Sequence, residues 1–198
     1  MTTNTNLSNY IFYLQYVNKK LENFFKQQEP YIMCKKGCSK CCENGEYPFS
    51  KLEFDYLMVG FLQLPYEVQE KINAKIKKLK EEKEKYSGEK AFVHECPFLV
   101  NKSCSVYEYR GITCRSFGLM SINEKGNSKI PFCAFEGLNY SSVIDKETSI
   151  ISSEKYEKLG IAQEPLAYNV SYDFLTSENI SKNFEIDFGD KKALLDWC

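Results

Sequence analysis

Four cysteines fall within nine residues as Cys34-x3-Cys38-x2-Cys41-Cys42, and four more follow as Cys96-x7-Cys104-x9-Cys114-x18-Cys133. Thiolate is a soft donor, and a loop carrying several at short spacing can deliver them to one zinc at ~2.3 Å or to the irons of a cluster. A helix would present at most two or three of the first four on one face. Eight sulfurs suit two four-cysteine sites, or one site with spare thiols nearby. Softness does not separate zinc from an iron–sulfur cluster of the 4Fe–4S type. The density of thiols and the lack of histidine in the first motif place iron with sulfide slightly ahead. Ordinary buried free cysteines do not crowd in this way beside Lys, Gly and Ser.

Disulfides are the competing use of so many cysteines. Adjacent Cys41 and Cys42 cannot bridge each other without strain. The opening MTTNTNLSNYIFYLQYVNKK has no early basic residue, and Asn9 and Gln15 interrupt its apolar run, so it is not read as a secretory signal. No segment approaches a membrane span in length. The expectation is a cytoplasmic chain with reduced thiols, where clustered cysteines bind metal. Vicinal Cys41 and Cys42 are expected to project apart, so ligands from 96–133 should complete the shell and the two groups should meet in space. Cys198, the last residue, is read as incidental.

Other chemistry is thinly supported. The first three cysteines share the spacing of radical SAM enzymes, but Lys40 stands where those carry an aromatic, and no two glycines are adjacent for a SAM loop. There is no Gly-rich phosphate loop and no nucleophile elbow. A catalytic triad needs a histidine, and the single one, His94, precedes Cys96 by two residues. It is read as solvated or as supporting the ligands. No catalytic residue is assigned, and whether the chain is an enzyme stays open.

Cys34-Lys-Lys-Gly-Cys38-Ser-Lys-Cys41-Cys42, Cys96-Pro97-Phe98-Leu99 and Cys104-Ser-Val-Tyr107-Glu108-Tyr-Arg110-Gly-Ile-Thr-Cys114-Arg115-Ser-Phe117 together resemble the YkgJ-type cysteine-cluster proteins. That family is described as zinc- or iron-chelating through eight cysteines. The resemblance covers about 34–133 and implies the ligand set Cys34, Cys38, Cys41, Cys42, Cys96, Cys104, Cys114 and Cys133. Family members usually carry Pro after the arginine matching Arg110, where this chain has Gly111. Flagellin lysine-N-methylases resemble the family in their cysteine cluster, so protein methyl transfer is an alternative, as is a zinc-stabilised interaction module. Tyr107, Glu108, Arg110 and Arg115 either support ligands or, for Glu108 and Arg110, pair on the surface.

The chain's 198 residues suit one domain with a real core. Its 26 basic and 27 acidic side chains nearly cancel, so net charge recruits neither nucleic acid nor membrane, and an unknown protein is the remaining kind of partner. Residues 1–133 carry 20 basic and 15 acidic groups, against 6 and 12 in 134–198, so the first part is +5 and the second −6. Lys35, Lys36 and Lys40 are placed to offset thiolate charge, or are simply solvated.

The elements that must position these groups form an α-rich α+β fold: a small metal-centred single domain with cysteine-bearing loops and a short hairpin. Residues 1–33 are expected to supply a helix packing on the core, 34–133 the metal-binding domain, and 134–198 an acidic extension of that domain. A helix over 7–27 would bury Leu7, Tyr10, Ile11, Leu14, Val17, Leu21, Phe24 and Phe25, with Pro30 stopping it. Ser50-Lys-Leu-Glu53 has capping-box form and should open a buried helix that ends at Pro65. Residues 66–86 read as a solvated helix with Glu67–Lys71 and Glu81–Lys85 pairs and a narrow Val68, Ile72, Ile76, Leu79 stripe. A hairpin is predicted around 123–127, a strand over 166–174 with an edge position hinted by Pro165, and a last helix over 191–197.

Overall fold

A computed structural model describes residues 3–35 and 37–198. Thr3 caps helix α1 (Asn4–Gln27) by accepting from the Asn6 N–H. The helix ends where Pro30 enters a 3-10 turn, Glu29–Tyr31. Its buried face is Tyr10, Tyr13, Leu14, Val17 and Leu21. Ile11, expected inside, is exposed, and Tyr13 replaces it because its hydroxyl donates to the Leu175 carbonyl at 2.6 Å. These residues pack with Leu52, Ile112, Leu119, Val170 and Phe188 in one part of the core.

The short α2 (Lys40–Glu43) carries two of the cysteines. Strand β1 (Pro48–Ser50) leads into α3 (Lys51–Leu62), whose first turn is closed by the capping box that Ser50 and Glu53 form. Helix α4 (Tyr66–Glu84) follows Pro65. It is less detached than a solvated helix would be. Ile72 and Leu79 are buried, Lys75 pairs with Glu95, and Lys83 bridges Glu46 and Asp196. Neither expected i,i+4 pair is formed; Lys78–Glu82 is, at 3.7 Å.

Beyond α4 the chain is more regular than its composition suggests. Strands β2 (Leu99–Val100) and β3 (Ser103–Cys104) make a tight hairpin over Asn101 and Lys102, both at positive φ. Helix α5 (Ile112–Ser116) carries Cys114. The expected hairpin is present, β4 (Met120–Ile122) pairing with β5 (Ser128–Lys129). A smaller ribbon, β6 (Ile144–Asp145) with β7 (Ile150–Ile151), precedes α6 (Ser153–Lys158).

The predicted strand over 166–174 is mostly absent. Only β8 (Ala167–Tyr168) forms, as the edge partner of β4. Ser171 then accepts from the Phe174 N–H and caps α7 (Tyr172–Leu175), so a local cap overrides the alternating pattern. Helix α8 (Glu178–Phe184) follows. The last helix, α9 (Leu194–Trp197), starts three residues later than expected. Lys191–Ala193 is instead strand β9, antiparallel to β1.

The fold is thus α-rich α+β with small sheets, and its core has three parts. The second part, around Phe49, Leu57, Phe61, Ile72 and Phe98, includes Cys96, Cys104 and Cys114 at its margin. The third gathers Tyr31, Met120, Tyr140, Val143 and Ile144. Among the described residues no helix is long and apolar enough to cross a membrane.

Candidate metal centre

The first cysteine segment is shaped by turns. After the Glu29–Tyr31 turn Ile32 is extended, and Gly37, at φ +94, lies in the turn by which the Cys38 N–H meets the Lys35 carbonyl. Ser39 accepts the Cys42 and Glu43 N–H groups on its carbonyl, at 2.8 and 3.0 Å, and donates its hydroxyl to Glu43. That turn places Cys41 and Cys42. Contrary to expectation their sulfurs do not diverge: they lie 3.9 Å apart, near the ~3.8 Å edge of a tetrahedron with ~2.3 Å metal–sulfur bonds.

The second segment is stitched to the first through backbone. The Cys96 N–H donates to the Cys42 carbonyl at 2.7 Å, and the Gly45 N–H to the His94 carbonyl at 3.0 Å. Cys104 faces Leu99 across the β2–β3 hairpin, Cys114 sits within α5, and Cys133 occupies a 3-10 turn, Phe132–Ala134, behind Pro131. The result is one cavity of about 640 Å³ lined by Cys34, Cys38, Cys41, Cys42, Cys96, Cys104, Cys114 and Cys133. The two groups meet, as expected, although Cys41 and Cys42 do not diverge as the argument for it supposed. Lys35 and Lys40 line the same cavity, with Lys102 and Arg110, while Lys36 lies outside the described residues.

Electrostatics divides the thiols. Cys34, exposed at the mouth, has its pKa drawn down to about 6, chiefly because the Cys133 thiol donates to its sulfur; burial opposes this, and Asn139 and Cys38 assist it. The same bond holds Cys133 above its ordinary value. Cys41 is lowered and Cys42 raised by the hydrogen bond they share. Burial pushes Cys96 up to about 12 and raises Cys104 and Cys114 as well. A metal on these inner sulfurs must displace their protons. Metal uptake by the metal-free chain will therefore strengthen as pH rises from 6 to 8; a flat chelator-competition curve across that range would contradict it.

The donor set fits a thiophilic metal. Among the described residues, no three Cys, His, Asp or Glu side chains already stand at metal-holding geometry. Binding would therefore draw in the exposed Cys34 and Cys38, whose loop turns on Gly37.

Several neighbours act differently from their sequence reading. His94 is only 8% exposed, so it is not solvated; Nδ1 contacts the Glu95 carbonyl at 2.9 Å and the ring stacks on Phe92. It does not line the cysteine cavity. Arg110 and Glu108 form no ion pair among the described residues. Arg110 stacks on the Tyr107 ring, 3.7 Å from its centroid. Arg115, buried, donates to the Arg110 and Glu108 carbonyls and to Asn18, and so folds the loop ahead of Cys114. Gly111, at φ −68, keeps the turn that proline would favour, yet a Cβ there would lie 2.6 Å from the Phe49 ring.

Three positioning groups escaped the sequence reading. Tyr47 donates to the Cys41 carbonyl at 2.5 Å. Glu53, read only as a cap, also accepts the Ile112 N–H at 2.8 Å and so anchors the helix of Cys114. Asn139 accepts the Met33 and Cys34 N–H groups at 2.7 and 2.9 Å. Only Glu53 had a legible signal, its capping-box spacing.

The cavity gathers the eight cysteines of both segments in one place. Residues 33–134 match the family model CxxCxxCC, described as "Putative zinc- or iron-chelating domain", and the chain belongs to that family. No curated protein and no solved structure matches it.

Proposed function

We propose that this chain holds an iron–sulfur centre, with zinc as the alternative, through thiolates drawn from Cys34, Cys38, Cys41, Cys42, Cys96, Cys104, Cys114 and Cys133, in a redox, sensing or accessory role. The observation that supports it is the single cavity of about 640 Å³ that all eight cysteines line. The residues' own part is to gather soft donors, exclude water around Cys96, Cys104 and Cys114, and set lysines against thiolate charge. A bound cluster would supply electron transfer or redox sensing. The exposed mouth at Cys34 and Cys38, with Lys35 and Lys40 beside it, is where a redox partner would approach. A cytoplasmic location fits thiols that must stay reduced.

One observation favours the zinc reading. Cys96, Cys104 and Cys114 pack against the apolar cluster of Phe49, Phe61 and Phe98, where a metal would act as a staple of the core. The two readings part in composition. Protein purified anaerobically from iron-replete cells should be coloured and carry iron with acid-labile sulfide. A colourless protein with stoichiometric zinc reverses the order.

A further inference from the structure

Asn139 lies outside the cysteine segments and is fully buried, and its amide converges on one sulfur. Oδ1 accepts the Met33 and Cys34 N–H groups at 2.7 and 2.9 Å. Nδ2 donates to the Gly118 carbonyl at 2.8 Å and to Cys34 Sγ at 3.1 Å. Holding the backbone requires only the oxygen, and the Gly118 carbonyl satisfies only one of the two amide protons. The second proton is aimed at sulfur.

The surroundings are built for that contact. Gly118 sits at φ +104, and a Cβ there would lie 2.7 Å from Asn139 Nδ2 and 3.1 Å from Cys34 Sγ. Tyr140, the next residue, is at φ +61 and fully buried, a conformation a bulky side chain takes only under constraint. Its N–H is tied to the Tyr31 carbonyl at 2.8 Å. Strain and a required glycine flank the amide from two sides, as they do where structure is spent on function.

We propose that Asn139 is a positioning residue for the Cys34 sulfur, fixing its direction through the backbone and withdrawing charge from it through the amide N–H. The inference rests on the metal–thiolate reading above, since a hydrogen bond to a ligating sulfur weakens its donation and tunes the centre it serves.

The test uses the full metal-free chain loaded anaerobically with cadmium or cobalt(II). In the wild-type chain, with nitrogen-labelled asparagine and an NMR-active cadmium isotope, one Asn139 side-chain proton should move downfield and show scalar coupling to cadmium. This needs no variant to fold. In cobalt-loaded protein, Asn139→Asp keeps the acceptor and loses the donor, and Gly118→Ala pushes the amide away. Both should shift the sulfur-to-cobalt charge-transfer band to longer wavelength and speed alkylation of Cys34 several-fold. A merely structural role would lower the amount of cobalt bound without moving the band. An uncoupled Asn139 proton, or variants whose band stays in place, overturns the inference while leaving the metal reading intact. A wild-type chain that takes up neither metal overturns the metal reading itself, and this inference with it.

Discussion

Cys104→Ser and Cys114→Ser will each lose metal as completely as Cys38→Ser, although they lie in a separate stretch of sequence. More than fifty residues part Cys42 from Cys96, yet the Cys96 N–H meets the Cys42 carbonyl at 2.7 Å and all eight cysteines line one cavity. On the proposed reading, one centre fed from both sides has no spare half. Losing a ligand should cost more than the ~10–100-fold in affinity that a residue supporting a ligand costs. Metal that ties the segments together also contributes to folding, because the unfolded chain has no preformed site. If about 4 kcal/mol of that coupling reaches the fold, at ~2–4 °C per kcal/mol the metal-free chain melts about 8–16 °C lower. Metal content of each variant and thermal melts with and without chelator check both parts. Second-group variants that keep full metal while Cys38→Ser loses it would make the segments independent, and 43–95 a plain insertion between them.

What was legible in the sequence is what acts locally. The capping box at Ser50 and Glu53 and the hairpin around 123–127 operate over a few residues, and each stands in the structure. Where sequence reading failed, a distant partner or a competing local bond decided. Tyr13 displaced Ile11 from the buried face of α1 because its acceptor lies in Leu175. The alternation over 166–174 was cut short by the hydroxyl of Ser171. Asn139 was invisible because its role exists only when residue 139 meets residues 34 and 118. An asparagine near a turn carries no local mark of such a contact. The vicinal cysteines make the same point from the other side, since their adjacency says nothing of a side-chain orientation that puts the sulfurs 3.9 Å apart.

Glu53→Ala will be the most destabilising substitution outside the cysteines, and it will weaken metal binding from a distance. The carboxylate is fully buried and closes two helix starts at once. One oxygen accepts the Ser50 N–H and hydroxyl, both at 2.9 Å, and the Tyr172 hydroxyl at 2.7 Å; the other accepts the Ile112 N–H at 2.8 Å. Removing it strands buried donors at about 1–3 kcal/mol each, for a net loss of about 3–5 kcal/mol after relaxation. At ~2–4 °C per kcal/mol that lowers the melting temperature by about 6–20 °C. Because Ile112 opens the helix that carries Cys114, metal affinity should fall as well, while an exposed control such as Glu154→Ala changes neither. The same site has a pH signature. Burial raises the Glu53 pKa above its ordinary value, so the folded chain holds this proton more tightly than the unfolded one. The corresponding stability is complete below the unfolded value of about 4.3 and is lost as pH rises through the higher folded value. Glu53→Gln removes that dependence. Chemical denaturation of wild type and Glu53→Gln from pH 4 to 8 should therefore give a stability difference that changes with pH, and parallel curves would show that the carboxyl titrates alike in both states.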